Sequence, residues 1–284
     1  MSDPFKIEGP AVISFSGGRT SGYMLWRILQ AHGGTLPDDV RVLFANTGKE
    51  RSETLDFVQE CSERWNVPIT WIEYRPKILD VKQHAIVDYY SASRNGEPFE
   101  AIINDRGMLP NQVSPFCSSE LKTRAMHRVI RSWGWDDWTS CVGIRADEEA
   151  RLSKARGRKT METSSESIVY PLAEAGVTKY VVTAFWGSME FDLRLPNANG
   201  LTPHGNCDLC FKKGLRVPSL IRENPSRAIW WINQEAKFSS DTHTTGNRFR
   251  IDRPSYKAMY ESAMSQEEMI EFDEEYIQEC ACTD

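Results

Sequence analysis

Residues 11–15, Ala-Val-Ile-Ser-Phe, form an apolar run that passes directly into Ser16-Gly-Gly-Arg-Thr-Ser21 and then into the amphipathic stretch Gly22–Leu29. A buried strand, a glycine-bearing polar loop and a helix in immediate succession make up the unit from which α/β proteins are assembled. The loop and first helical turn present backbone N–H groups that no upstream carbonyl can satisfy, so they form an anion site. A nucleotide phosphate is the expected occupant. The loop has no Gly-Lys-Ser/Thr ending and no Gly-x-Gly-x-x-Gly, so neither a Walker A loop nor a dinucleotide fingerprint explains it. On these six residues alone, an ordinary strand-to-helix turn is the competing reading.

The pattern then repeats. Val40–Ala45 reads as a second buried strand ending in Asn46-Thr47-Gly48, 51–65 as a helix opened by Ser52, and 67–73 as a third strand. Strand and helix alternating in this way predict a parallel sheet with helices on its faces, and ligands at the carboxyl ends of the strands. Between 77 and 116 the periodicity weakens; 81–93 is expected to be helical and 95–98 a turn. A helix over 118–133 and a strand over 137–144 follow, the strand running into Arg145-Ala-Asp147-Glu148-Glu149-Ala-Arg151. After Tyr170-Pro171 the composition shifts: 188–210 is rich in Gly, Pro and Asn, whereas 215–236 and 255–279 read as helices. The expected fold is α/β, a doubly wound and mostly parallel sheet over 1–175, with a helical, cysteine-containing C-terminal appendage over 176–284. The pair Trp230-Trp231, flanked by Ile229 and Ile232, reads as a core anchor rather than a base-stacking platform.

Composition narrows the partners. With 284 residues, 40% apolar and 26% charged, the chain can bury a sizeable core. A net charge of −6 argues against coating a nucleic acid, although Arg145, Arg151, Lys154, Arg156, Arg158 and Lys159 could line a local basic groove or a solvated loop. No stretch approaches the roughly 20 apolar residues of a membrane span, and the first residues lack a signal peptide's apolar core. A cytoplasmic location is expected, where seven cysteines suit metal or redox chemistry better than structural disulfides.

Five short stretches share one resemblance: Ser16–Ser21; Asn46-Thr-Gly-Lys-Glu50; Phe116-Cys-Ser-Ser-Glu-Leu-Lys122; Val142-Gly-Ile-Arg-Ala-Asp-Glu-Glu149 with Arg151; and Asn206-Cys-Asp-Leu-Cys210. In kind and order they resemble the PAPS reductase-like branch of the PP-loop ATP pyrophosphatase (adenine nucleotide alpha hydrolase-like) superfamily, over about residues 11–215. The resemblance implies that Ser16, Gly17, Gly18, Arg19, Thr20 and Ser21 cradle the phosphates of ATP or the phosphate or sulfate end of a PAPS-type adenylate. It also implies that Asn46, Thr47 and Gly48 meet the adenosine moiety, and that Gly143, Arg145 and Arg151 complete the anion site. Arg145 would pair bidentately with phosphate and act in catalysis. Asp147 and Glu148 are candidates to help hold Mg²⁺, while Glu149 reads as the charged first turn of a helix. Thr20 stands where relatives often carry Asp.

The cysteines divide the reactions. Cys207-x-x-Cys210 places two thiolates one turn apart, a chelating pair or a redox dithiol. Cys61 and Cys141 lie in apolar patterns and read as buried. The resemblance favours a [4Fe–4S] centre held by Cys117, Cys207, Cys210 and one of Cys280 or Cys282; a Zn²⁺ site of Cys207, Cys210, Cys280 and Cys282 fits the spacings nearly as well. His204 is a weaker ligand. Cys280, in the terminal Glu279-Cys-Ala-Cys282, is also a candidate catalytic nucleophile, by likeness to the Glu-Cys-Gly-x-His tail of classical PAPS reductases. His84, His127 and His243 receive no role.

These features imply an enzyme that binds an adenine nucleotide, for sulfonucleotide reduction or for adenylation coupled to sulfur transfer with a redox or sulfur-donor protein. Two alternatives remain: an ATP-dependent DNA or tRNA sulfur-modification or defence component, and a non-catalytic nucleotide-binding regulator with structural zinc. Oligomeric state is not legible.

Overall fold

In a computed structural model of the chain, the structure describes residues 3–77, 83–157, 165–238 and 247–265. Six strands form one sheet: β1 (Ala11–Ser14), β2 (Val40–Asn46), β3 (Ile69–Tyr74), β4 (His84–Val87), β5 (Trp138–Cys141) and β6 (Glu166–Val169). Their order is β4-β3-β2-β1-β5-β6, and every neighbouring pair is parallel except β3 with β4. From β1 the chain builds outward through β2 and β3 on one side, then crosses to β5 and β6 on the other. The order therefore reverses between β1 and β5, the switch point at which open α/β sheets leave a crevice.

Alternate residues of the central strands feed two different layers. Ala11, Ile13, Phe15, Val42 and Phe44 pack with helices α1 (Arg19–Ala31) and α2 (Ser52–Arg64). Val12, Leu43, Ala45 and Ile72 pack on the other face with Ala125, Val129 and Ile130. Burial on both faces explains why these strands read as continuous apolar runs. The second layer is contributed by a nearly continuous helical stretch: α4 (Phe116–Ser118), a π-turn over Ser119–Thr123 and α5 (Arg124–Ser132).

Two expectations fail here. The segment expected to be helical over 81–93 instead contributes the antiparallel edge strand β4, and the expected turn at 95–98 opens helix α3 (Glu97–Arg106). Gly96, at φ +92°, reverses the chain before α3. Pro98 is tolerated because the first turn of a helix needs no intrahelical N–H donor. β6 went unread, and the helix expected over 215–236 is divided at Pro225 into α9 (Val217–Glu223) and α10 (Ala228–Lys237). Short helices α6 (Glu149–Arg156) and α7 (Pro171–Glu174) flank β6; the 255–279 stretch yields α11 (Tyr256–Ser265), its remainder lying outside the described residues.

Helix α8 (Lys179–Ser188) returns to the first core, where Val182 and Trp186 pack beside Leu193 and Leu195. A second core, rich in aromatic residues, unites Phe99, Ile102 and Ile103 of α3 with Cys117, Leu121, Cys210, Trp231, Phe249 and Tyr256. The Trp231 and Tyr256 rings stack at 5.1 Å, and the Tyr256 hydroxyl donates to the Leu209 carbonyl at 2.6 Å. This core therefore grips the Cys207–Cys210 loop from behind. No described helix is long and apolar enough to cross a membrane.

Candidate anion site at the strand switch point

The loop that follows β1 is closed by its own side chains. The Ser21 hydroxyl donates to the Gly18 carbonyl at 3.0 Å, lies 2.9 Å from the Ser16 hydroxyl and accepts from the Ser16 N–H at 3.2 Å. Ser21 is thus fully buried and works as a staple. The glycine requirement falls on Gly17, which sits at φ +78° and whose Cβ would lie 2.6 Å from Thr54 Cγ2. At Gly18 a Cβ would meet only Ser16 Oγ, at 3.5 Å, so the protein itself leaves space there. Ser16, Gly17, Gly18, Arg19 and Thr20 face a cavity of about 170 Å³.

Arg145, just beyond β5, reaches the same cavity across the switch point. Its Nη1 donates to Thr20 Oγ1 at 3.0 Å, its Nε pairs with Asp147 at 3.0 Å, and its backbone N–H donates to Glu148 at 2.8 Å. Arg151 binds the other Glu148 oxygen at 2.7 Å. Thr20 therefore serves as a neutral acceptor that orients a guanidinium. The oxygens of Asp147 and Glu148 considered for Mg²⁺ are instead committed as counter-ions and do not form a free hard-cation donor pair.

Arg19 points away from the loop it belongs to. Its guanidinium forks onto Asp192 (Nε to Oδ1 2.8 Å, Nη2 to Oδ2 2.8 Å) and donates to Thr202 Oγ1 at 3.0 Å and to the carbonyls of Leu193 and Leu195 at 2.5 and 2.9 Å. The cavity's far wall is the segment so held: Leu193, Gly200–Pro203, Gly205 and Asn206, continuing after the cysteines to Lys212, Lys213 and Arg216. Of these cations sequence reasoning noted none, although the Lys212-Lys213 doublet, one residue beyond Cys-x-x-Cys, was a readable signal.

Asn46, Thr47, Gly48 and Gly143 are not among the residues that line the cavity. Asn46 donates to the fully buried Glu73 at 2.7 Å, and Glu73 also accepts from the Ser93 N–H and hydroxyl at 2.6 and 2.9 Å. Thr47 Oγ1 donates to Glu50 at 2.8 Å and lies 3.2 Å from the Cys207 sulfur. Gly48 holds φ +75°, and a Cβ would meet Pro98 at 2.9 Å. Gly143 approaches Ser21 at ordinary contact distance.

The cysteine loop is stapled to the Asn46–Glu50 turn. The Asp208 N–H donates to the Lys49 carbonyl at 2.7 Å, and the buried Asp208 carboxylate pairs with Lys49 at 3.4 Å and Arg227 at 2.6 Å. Lys49 in turn lies 4.8 Å from the Trp230 ring centroid. Asn206 and Leu209 hold φ +56° and +46°, an uncommon conformation for residues other than glycine that costs about 1 kcal/mol or more each. Cys117 and Cys210 are buried in the second core and Cys207 is half-buried against it. Among the described residues no group of three or more His, Cys, Asp or Glu is arranged to hold a metal ion. Cys280 and Cys282 lie outside the described residues, as do Arg158, Lys159 and His243. Burial pushes the Cys61 thiol far up and Cys141 up to about 12, so both are inert core residues at neutral pH. His204 packs 2.7 Å from Glu223 and 3.4 Å from Arg51, and burial lowers its pKa despite Glu223. His127 pairs with Glu166 at 3.2 Å, remote in sequence and role from the cavity loops.

Sheet order and the switch-point crevice define a doubly wound α/β protein, with a glycine-bearing loop after its first strand lining the candidate site. The phosphoadenosine phosphosulfate reductase domain model matches residues 10–182, and the chain belongs to that family. It is 29% identical over 208 residues to the uncharacterized nin region protein ORF290 of Escherichia phage lambda, covering 71% of this chain and 66% of that one. A similar 29% identity over 152 residues links it to the uncharacterized protein MJ0066 of Methanocaldococcus jannaschii, covering 53% and 26%. The chain thus spans just under two thirds of the first relative and about a quarter of the second. Among solved structures it is similar to a Candida auris phosphoadenylyl-sulfate (PAPS) reductase in a phosphate complex, with TM-score 0.40, 16% identity, and coverage of 66% of this chain and 79% of that one.

Proposed function

We propose that the cavity binds an adenine nucleotide by its phosphate or phosphosulfate end and that the chain is an enzyme of sulfur chemistry. The observation that carries this reading is convergence: the Ser16–Thr20 loop, Arg145 and Arg151 form one wall of the cavity, while Lys212, Lys213 and Arg216 come from the other. Cations supplied from two separately built walls suit an extended polyanion better than a single small ion. The Gly205-Asn206 edge of the cavity leads straight into Cys207, which brings a thiol to the border of the anion site.

Two reactions fit. In the first, a phosphosulfated adenylate is reduced: sulfite and the adenosine phosphate depart as a dithiol is oxidised to a disulfide. In the second, ATP adenylates an acceptor with release of pyrophosphate, and sulfur transfer follows. The first is favoured, because Asp147 and Glu148 are engaged by arginines whereas adenylation calls for Mg²⁺ at the phosphates. An iron–sulfur or zinc centre would have to draw ligands beyond Cys117, Cys207 and Cys210, with Cys280 and Cys282 as the remaining candidates. Cys280 keeps its proposed role as nucleophile in the reductive reading. Anaerobic purification followed by parallel assays for sulfite and pyrophosphate release, with iron, sulfide and zinc analysis, decides among these. Sulfite release from a phosphosulfated adenylate supports the reductive reading; pyrophosphate release from ATP replaces it with adenylation; neither product, with nucleotide still bound, leaves a binding protein.

A further inference from the structure

We infer that Arg19 is a positioning residue: a pin that fixes the wall bearing the cysteine loop onto the anion loop, rather than a ligand of the bound anion. The inference rests on the nucleotide reading of the cavity and specifies how its two walls are joined. Arg19 occupies the first residue of α1. A guanidinium at that position would be expected to turn toward a phosphate, yet all three of its nitrogens are spent on residues 192–202, and the side chain is only 8% exposed.

The attachment is rigid at both ends. On the loop side, the Trp186 indole donates to the Arg19 carbonyl at 2.7 Å, and Trp186 packs so closely that a Cβ on Gly22 would lie 2.7 Å from its ring. On the far side, Arg19 binds the Thr202 side chain, and the Thr202 carbonyl accepts from the Gly205 N–H at 2.9 Å, closing the turn that leads to Asn206 and Cys207. Asp192 supplies the counter-charge and, with Thr202 and the two carbonyls, engages all three Arg19 nitrogens, so the guanidinium is held on the far wall rather than presented to an incoming anion. Lysine could keep the charge at this position but not the planar fork that reaches Asp192, Thr202 and two carbonyls together.

The test is site-resolved alkylation of Cys207 by iodoacetamide, read by peptide mass spectrometry on the full chain, alongside calorimetric titration with ATP and a phosphosulfated adenylate. Arg19→Gln and Asp192→Asn should both raise the Cys207 alkylation rate about tenfold without nucleotide, the size expected for releasing one charge-assisted anchor. Arg19→Lys should fall between wild type and Arg19→Gln. Asp192→Asn, which lies outside the anion loop, tests the pin even if Arg19→Gln fails to fold. The inference is overturned if Asp192→Asn leaves Cys207 reactivity unchanged, or if Arg19→Gln loses nucleotide affinity by tenfold or more while Asp192→Asn keeps it. If neither nucleotide binds wild type, the nucleotide reading falls and the pin loses its proposed role, a pattern distinct from a wild type that binds while Cys207 ignores both substitutions.

Discussion

The two walls of the cavity hold cations by different means. The Ser16–Thr20 wall and Arg145 stand on adjacent parallel strands, and their shape comes from local backbone geometry: a left-handed Gly17, a Ser21 staple and the first turn of α1. The Leu193–Arg216 wall has little regular structure of its own. It is held from outside, by Arg19 across 173 residues of sequence, by Lys49 and Arg227 on Asp208, and by Tyr256 on the Leu209 carbonyl. A site of this kind has one wall as stable as the sheet and another as stable as its few anchors.

That contrast can be broken most severely at Gly17. A Gly17→Val variant must adopt φ +78° and intrude on Thr54, which should cost about 2–4 kcal/mol of stability and at least about 100-fold in nucleotide affinity. Chemical denaturation and calorimetry check the two effects separately.

Next in size is Glu120, in the π-turn between α4 and α5, where the second core meets β2 and β3. Its buried carboxylate accepts from Arg124 at 2.5 Å, Arg128 at 3.4 Å and Arg106. Glu120→Ala should cost about 3 kcal/mol, since it leaves clustered arginines uncompensated in a half-buried setting. Burial works to raise the Glu120 pKa, but the arginines more than offset it and leave it lowered from 4.5. Its folded pKa is therefore below the unfolded one, so its stabilisation is complete above pH 4.5 and is lost as pH falls from there through the depressed value. Glu120→Gln should flatten that part of the acid-unfolding curve, measured by urea midpoints across the range.

Of the arginines on the sheet wall, Arg145 is predicted to matter most for binding. Arg145→Ala should weaken nucleotide binding about 30-fold at low salt and also lower the melting temperature, because Asp147 and the buried Glu148 lose a partner, whereas Thr20→Val, which removes only its 3.0 Å acceptor, should weaken binding a few-fold. On the opposite wall, Lys213→Ala or Arg216→Ala should cost about threefold to tenfold and reduce the salt dependence of binding. A reversal of this ranking would make the cysteine-side wall the dominant anion holder.

The same distinction explains what could be read in the chain. β1, α1, β2 and α2 were legible because apolar spacing and loop glycines declare them locally, and Arg145 because it follows a strand as the first loop does. β4 was misread because its four residues, His84–Val87, carry no alternation long enough to outweigh helical spacing, and α3 because Gly96 and Pro98 carry turn signals that here open a helix. Asp192, Thr202 and the destination of Arg19 were illegible, since their roles exist only through contacts between distant segments. The buried placement of Asn46 and Thr47 was equally hidden: the strand end was readable, but not that Glu73 and Glu50 would claim their side chains.

The central claim is that the cavity at the β1–β5 switch point binds an adenine nucleotide by its anionic end. Calorimetric titration of the full chain with ATP, a phosphosulfated adenylate and uncharged adenosine, repeated on Arg145→Ala, tests it most directly. The account predicts saturable binding of at least one anionic nucleotide, adenosine at least about tenfold weaker, and a marked loss on removing Arg145. Equal affinity for adenosine and its phosphorylated forms, or nucleotide binding untouched by Arg145→Ala, would contradict it.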